Sequence, residues 1–126
     1  MKTLELALAG KRVLIVEDEL LVALMLEDFL CDFGCDVVGP CGTVENALHA
    51  VRTEELDLAV LDVNLAGERV YPVAEALAER HIPFLFLSGY GEDAIPPGHP
   101  GWKVCAKPFR GPELAGMMTA ALRPAA

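Results

Sequence analysis

Short apolar runs alternate with longer segments of helical periodicity along the chain, and this alternation restricts the fold more than any other feature. Five apolar runs are predicted to be strands, at residues 12–16, 36–39, 56–62, 84–87 and 104–106. Strands that alternate with helices through short connections form a parallel sheet with helices on both faces. The sequence therefore predicts an α/β domain around a doubly wound, five-stranded parallel sheet.

Helix signals fill the segments between the predicted strands. The first helix is expected over residues 19–33, Thr43 is positioned to cap the second, and Pro72 suits the first turn of the third. The last helix is expected to begin at Gly111. Residues 91–101 contain three prolines and three glycines, so the fourth helix should be short or irregular. The expected architecture is a flavodoxin-like (βα)5 fold with strand order 2-1-3-4-5.

The composition limits the classes of partner. A net charge of −9 over 126 residues argues against binding to nucleic acid or to an anionic membrane surface. No apolar run reaches the ~18 residues that a membrane span needs. The four cysteines form no CxxC pair and indicate reduced thiols, as expected in the cytoplasm. The expected division is an N-terminal extension of residues 1–10, a domain of residues 11–123 and a tail of residues 124–126.

Polar side chains follow four of the five predicted strands at the point where each strand ends. These are Glu17 and Asp18 after the first strand, Asp62 at the end of the third, Ser88 after the fourth and Lys107 after the fifth. The carboxyl ends of parallel strands meet at one edge of the sheet, which is where open α/β sheets bind ligands. We therefore expect these side chains to form one site.

Three carboxylates in one place repel each other unless a cation lies between them. Mg²⁺ prefers oxygen ligands and is commonly held by one or two carboxylates together with a phosphate. Asp18 and Asp62 are the best candidates for direct ligands, and Glu17 could reach the ion through water. The main-chain carbonyl of Asn64 could supply a further oxygen.

An aspartate beside Mg²⁺ can attack phosphorus and form an acyl phosphate. Lys107 and Ser88 could then bind two of the phosphoryl oxygens, because phosphoryl transfer depends on positioning and charge neutralisation. Each residue also has a simpler interpretation. Acids before a helix can serve its dipole, and Asp, Ser-Gly and Lys-Pro are common in turns. The combination, with one piece at each strand end and in this order, favours the phosphoryl-transfer site.

This arrangement resembles the receiver domain of two-component response regulators, over about residues 11–122. The resemblance implies that Mg²⁺ is the cofactor and that the phosphoryl donor is a histidine kinase or a histidine phosphotransfer protein. It implies that the acidic pair binds the metal, that the third strand ends at the phosphoacceptor, and that a lysine followed by a cis proline ends the fifth strand. The matching residues are Glu17, Asp18, Asp62, Ser88, Lys107 and Pro108.

The motif at residues 86–91, FLSGYG, resembles the "FAT GUY" motif of a subgroup that includes single-domain receivers and general-stress-response regulators. The resemblance implies kinases of the HWE and HisKA2 type as partners. Receivers usually carry a Tyr or Phe three residues before the lysine, where it moves inward on phosphorylation; here that residue is Val104. Tyr90 is the expected substitute as the switch residue, moved when Ser88 is drawn toward the phosphate.

The first helix shows two apolar stripes. Val22, Met25, Leu26 and Phe29 are expected to face the core, which leaves a second flank of Leu20, Ala23 and Leu24. The resemblance implies that this flank docks on the helical hairpin of the kinase or on the phosphotransfer partner. The alternative is packing against the leader residues Leu4, Leu6 and Leu8.

The expected function is that of a stand-alone bacterial phosphoacceptor without an output domain, monomeric or weakly dimeric. It would catalyse only its own phosphorylation and slow dephosphorylation, and would signal through protein contacts. The main alternative is a receiver-like binding module that is not phosphorylated. A phosphoaspartate phosphatase of the haloacid dehalogenase type would need a second Asp where this chain has Asn64, and a flavin site would be repelled by the acids at residues 17–19.

Overall fold

The computed structural model describes residues 7–89, 95, 96, 98, 99 and 101–122. Its elements, in chain order, are β1 (Arg12–Val16), α1 (Leu20–Asp32), β2 (Asp36–Cys41), α2 (Val44–Thr53), β3 (Leu58–Asp62), β4 (Asn64–Leu65), β5 (Glu68–Arg69), α3 (Tyr71–Glu79), β6 (Phe84–Ser88), β7 (Val104–Ala106) and α4 (Gly111–Leu122).

Within these residues, five parallel strands form one sheet in the order β2-β1-β3-β6-β7. Counting only the strands of this sheet along the chain, the order is 2-1-3-4-5, so the predicted flavodoxin-like topology is confirmed. The three central strands, β1, β3 and β6, are buried on both faces, which explains why their sequences read as continuous apolar runs.

The core is divided by the sheet into two layers. Alternate residues of β1 point to opposite sides, with Val13 and Ile15 packing toward α1 and α4, and Leu14 and Val16 toward α2 and α3. Thr43 caps α2 as predicted, since its side-chain oxygen accepts a hydrogen bond of 3.1 Å from the Asn46 N–H.

The inward face of α1 is rotated by about one residue from the predicted face. Ala23, Leu26 and Leu30 are buried at a spacing of three and four residues, with Ala23 only 2% exposed. The prediction that Ala23 contacts a partner is therefore wrong, because this side chain is buried within the protein. Met25 was expected in the core but is 38% exposed.

The solvent-facing side of α1 carries large apolar residues. Leu20 and Leu24, predicted to lie on an outer flank, are 69% and 46% exposed, and Leu21 is 78% exposed. We call Leu20, Leu21, Leu24 and Met25 the α1 apolar surface. Monomeric proteins rarely leave a contiguous apolar patch uncovered without a use for it, so this surface is a candidate interface.

Residues 7–10, predicted to be part of an extension, pack against the domain. Leu8 is fully buried in the α1–α4 layer. The Gly10 N–H donates to the Gly34 carbonyl at 2.8 Å, and the Cys35 thiol lies 3.5 Å from the Leu8 carbonyl. The predicted contact of the α1 flank with Leu4 and Leu6 falls outside the described residues.

The connection between β6 and β7 is not helical at any of its described residues, which are 89, 95, 96, 98, 99 and 101–103. Ile95 and Trp102 pack on the α2–α3 layer of the core. Among the described residues, no helix has the length and apolar character to cross a membrane.

The four cysteines are free. Burial raises the pKa of the Cys35 thiol to about 11, and it also raises the pKa of Cys41 and Cys105. These three thiols are therefore held in their protonated form, and the absence of disulfides agrees with the predicted reduced state.

A short hairpin follows β3. Asn64 pairs with Arg69 and Leu65 with Glu68 in an antiparallel ladder. Its two turn residues have positive φ angles, 53° at Ala66 and 84° at Gly67. Leu65 is fully buried and packs the hairpin against the core.

Candidate functional site

Three carboxylates meet at the carboxyl edge of the sheet. Glu17, Asp18 and Asp62 each offer an oxygen, and these oxygens all lie within 4.8 Å of one another. The register explains the meeting, because β1 and β3 pair Val16 with Leu61, which places the residues that follow side by side. The structure thus brings the three acids together at the edge where the sequence placed them.

The ammonium of Lys107, the residue that follows β7, lies in the same cluster. Its Nζ donates to Asp62 Oδ1 at 3.3 Å and lies 3.6 Å from Glu17 Oε1. Pairing of Ser88 with Ala106 aligns β6 with β7, and the Lys107 N–H donates to the Ser88 carbonyl at 2.9 Å. The Lys107–Pro108 peptide bond is cis, as the sequence resemblance implied.

Glu17 is the most electrostatically perturbed acid of the site. Its side chain is buried, with the residue 2% exposed, and this burial raises its pKa from 4.5 to about 7. The Glu19 N–H and Lys107 act in the opposite direction, while the nearby Asp62 raises the pKa further. The site therefore holds more negative charge than Lys107 balances.

The two carboxylate oxygens of Glu17 differ in their hydrogen bonding. Oε2 accepts a hydrogen bond of 3.1 Å from the Glu19 N–H, whereas the buried Oε1 has no hydrogen-bond partner among the described residues. Its ion pair with Lys107, at 3.6 Å, is too long for a hydrogen bond, and a buried carboxylate oxygen without a hydrogen bond costs free energy unless a ligand satisfies it. Three clustered carboxylates, one of them with an oxygen that accepts no hydrogen bond, fit a hard divalent cation such as Mg²⁺.

Asp18 is held by the hairpin. The Ala66 N–H donates to Asp18 Oδ2 at 3.0 Å. Asn64 lies on the exposed side of β4, two residues after Asp62, and the role of its carbonyl as a metal ligand stays a prediction. The contact of Ala66 was not predicted, because a main-chain donor leaves no signal in the identity of its residue.

Ser88 ends β6 beside Asp62, since β3 and β6 pair Asp62 with Leu87. It is buried, at 3% exposure, so its hydroxyl lies inside the carboxyl edge of the sheet and not on the open surface. The predicted switch residue Tyr90 lies outside the described residues.

Val104, the residue at the usual switch position, is half-buried and packs on the α2–α3 layer. The aromatic ring near this position is that of Trp102, whose centroid lies 5.2 Å from that of Phe84 and 5.5 Å from that of Phe86. The His99 ring stacks on the Trp102 ring, with the two centroids 3.7 Å apart. Sequence reasoning missed Trp102, although it is the single tryptophan of the chain.

A cavity of about 340 Å³ lies next to Lys107, at the carboxyl edge of the sheet. It is lined by Val22, Met25, Lys107, Pro108 and Phe109. Met25 belongs both to this cavity and to the α1 apolar surface, so apolar surface continues from α1 to the edge of the carboxylate cluster.

The comparisons with known proteins agree on one family. The family model described as "Response regulator receiver domain" matches residues 13–116. Among curated proteins, the transcriptional regulatory protein PdtaR of Mycobacterium tuberculosis is 29% identical over 87 residues, which cover 68% of this chain and 42% of PdtaR. The chain thus spans less than half the length of that relative.

Two solved structures match nearly their full length. SdrG from Sphingomonas melonis Fr1 is 45% identical, with a TM-score of 0.77, and the match covers 92% of this chain and 97% of SdrG. The REC domain of the PhyR response regulator of Erythrobacter litoralis is 30% identical, with a TM-score of 0.81, covering 95% of this chain and 98% of that domain.

The buried Glu17 predicts a pH dependence of stability in the metal-free protein. In EDTA, the free energy of unfolding should fall as the pH rises from 4.5 to about 7, because the folded state binds more protons than the unfolded state in this window. Glu17→Gln cannot ionise and should remove this part of the fall. Urea unfolding at a series of pH values measures it.

The control is Glu75→Gln, which removes one carboxylate from the exposed side of α3. If the free energy of unfolding changes with pH in the same way in the wild type and in Glu17→Gln, ionisation of Glu17 does not cause the fall in stability.

Proposed function

Because the chain belongs to the response regulator receiver domain family, we propose that Asp62 accepts a phosphoryl group in a two-component phosphorelay. One observation supports this most directly: Asp62 lies between an ammonium 3.3 Å away and two further carboxylates. A nucleophilic carboxylate placed between a cation and a set of hard oxygen ligands suits attack on phosphorus.

In the proposed reaction a carboxylate oxygen of Asp62 forms a bond to phosphorus. The bond from phosphorus to the histidine nitrogen of the donor breaks, and that nitrogen keeps the electron pair and takes up a proton. The product is an acyl phosphate on Asp62. Asp18 and Asp62 would hold Mg²⁺ directly, with Glu17 through water and Asn64 through its carbonyl. The ion would neutralise charge on the phosphoryl oxygens.

Lys107 and Ser88 are proposed to bind the transferred group. The Lys107 ammonium already lies beside Asp62 Oδ1, so a phosphoryl oxygen added at Asp62 would come within its reach. Ser88, aligned with Asp62 by the β3–β6 register, would donate its hydroxyl to a second oxygen. Both donors are fixed by strand ends, so they need little rearrangement as charge develops.

The protein is proposed to act as a phosphoacceptor rather than as an enzyme with turnover. It would catalyse its own phosphorylation and a slow hydrolysis of its acyl phosphate. The same observations disfavour the alternatives from the sequence. A binding module that is not phosphorylated has no need for the Asp62–Lys107 contact, and a phosphatase would need an acid at Asn64.

The partner is proposed to be a histidine kinase or a phosphotransfer protein that docks on the α1 apolar surface and in the adjoining cavity. Leu20, Leu21, Leu24 and Met25 are exposed next to the carboxylate edge. A helical hairpin carrying a phosphohistidine could cover these side chains while its histidine reaches Asp62. Apolar anchors at the centre of an interface commonly supply most of its binding free energy.

The organisation of the protein is proposed from the sequence and its relatives. We propose a stand-alone, cytoplasmic receiver of the FAT GUY subgroup that is monomeric or weakly dimeric. The near full-length match to SdrG supports the stand-alone organisation. The proposed boundaries are residues 11–123 for the domain, 1–10 for the extension and 124–126 for the tail. The burial of Leu8 adds the end of that extension to the packed unit.

Phosphorylation is tested directly by intact mass. With Mg²⁺ and acetyl phosphate, the wild type should gain about 80 Da, the mass of one phosphoryl group, while Asp62→Asn gains nothing because an amide is not a nucleophile of this kind. EDTA should abolish the gain in the wild type. An equal gain in Asp62→Asn would refute Asp62 as the acceptor.

Lys107→Met separates the metal site from phosphoryl transfer. Loss of a positive charge beside Asp62 should tighten Mg²⁺ binding by about 5-fold, corresponding to about 1 kcal/mol in a partly solvated site. Phosphorylation by acetyl phosphate should slow by about 100-fold, as for the loss of one fixed transition-state donor. Calorimetry and mass spectrometry measure the two effects.

The matched control is Lys103→Met, which removes the same charge from an exposed position just before β7. If Lys103→Met and Lys107→Met behave alike, net charge rather than the position of Lys107 explains the result.

The docking surface is tested by Leu24→Glu. Phosphoryl transfer from the cognate kinase, identified with a kinase panel, should slow about 10-fold, because an apolar side chain that the proposed interface would bury becomes charged. Phosphorylation by acetyl phosphate and thermal stability should stay as in the wild type.

Ala78→Glu places the same charge on the exposed side of α3, across the sheet from α1, and should transfer normally. Normal kinase transfer to Leu24→Glu would rule out this surface.

A further inference from the structure

The hairpin formed by β4 and β5 touches the carboxylate cluster through one main-chain group. The Ala66 N–H donates to Asp18 Oδ2 at 3.0 Å. Resting on the proposed Mg²⁺ site, we propose that this N–H is a positioning group for the metal site. It fixes the orientation of the Asp18 carboxylate, which would hold the ion, and the hairpin keeps the donor in place.

The donor is built to stay in place. Leu65, the residue before Ala66, is fully buried in the α2–α3 layer, and the two residue pairs of the ladder close the turn. The Val70 N–H donates to the Val63 carbonyl at 3.0 Å, which ties the base of the hairpin. The turn residues are therefore anchored from both sides.

The backbone at Ala66 indicates that the turn geometry is required. Its φ of 53° is in the left-handed region, which costs an alanine more than a glycine. No glycine occupies this position, although Gly67 follows at 84°. The surrounding hairpin and the contact with Asp18 thus hold a conformation that the residue itself does not favour.

Asp18 needs such support more than its neighbour does. Glu17 is enclosed by the core and accepts a hydrogen bond from the Glu19 N–H. Asp18 lies on the exposed side of the same connection and takes its support from across the site, 48 residues further along the chain. Hydrogen bonds that orient metal ligands commonly contribute 10- to 100-fold to metal affinity.

The hydrogen bond itself is tested without metal. Amide hydrogen exchange, read by NMR in EDTA, should show a protected Ala66 N–H in the wild type and exchange at least about 10-fold faster in Asp18→Ala, because its acceptor is gone.

Asp57→Ala is the matched control. Its Oδ2 accepts the Arg12 N–H at 2.9 Å, so this change removes a comparable carboxylate-to-backbone bond at the opposite edge of the sheet. Ala66 exchange that is equally fast in the wild type and in Asp18→Ala would overturn the inference.

The positioning role is tested by the dissociation constant for Mg²⁺, followed by NMR shifts at the ends of β1 and β3. An ester in place of the Leu65–Ala66 amide, made by incorporating lactic acid at position 66, replaces the N–H with an oxygen that cannot donate a hydrogen bond. It should weaken Mg²⁺ binding by about 10-fold. Ala66→Gly keeps the N–H and removes the positive-φ strain, and it should bind Mg²⁺ as tightly as the wild type or more tightly.

The outcomes separate this inference from the proposed function. If the ester variant binds Mg²⁺ as the wild type does, the positioning role is refuted and the phosphoacceptor proposal stands. Equal weakening in the ester variant and Ala66→Gly would also refute it, since the N–H is then not the cause. If the wild type binds no Mg²⁺ at millimolar concentration, the proposed function falls and the inference with it.

Discussion

Negative charge concentrated at the carboxyl edge of the sheet is the constraint on which the rest of the structure depends. Among the residues that the structure describes, three carboxylates share this edge with one ammonium, and Glu17 is buried with a pKa raised to about 7. The protein alone therefore does not satisfy this charge. Lys107 and the Ala66 N–H both donate to carboxylates of the cluster, and the proposed divalent cation would complete the neutralisation. The fold is held at this edge by the groups that the proposed chemistry uses.

The sequence predicted the parts of this arrangement that a parallel sheet dictates. A buried parallel strand reads as a continuous apolar run, and the first polar residue after it marks the strand end at the functional edge. Asp62 and Ser88 were placed in this way, and both end their strands. Caps such as Thr43 were also recognisable, because a side chain rather than the backbone makes the contact.

Other parts depend on contacts that leave little trace in residue types. The core face of α1 was placed about one residue away from its position because the helix is apolar on more than one side, so periodicity alone did not decide between Ala23 and Met25. The burial of Leu8 is a tertiary contact with no local pattern. The hairpin after Asp62 was not predicted, because Ala66 takes a left-handed conformation that its residue type does not indicate.

The aromatic contacts near β6 show how a missing residue type can be replaced in space. Val104 is too small to fill the α2–α3 side of β7, and Trp102 packs there against Phe84 and Phe86 instead. Phe86 also meets the ring of Tyr71 edge-on at 5.9 Å. Since Phe86 lies two residues before Ser88 on the same strand, the rings connect the rim with the first turn of α3 and with the residues that precede β7. A displacement of Ser88 would therefore shift Trp102 through the packed side chains, although position 104 carries no aromatic residue.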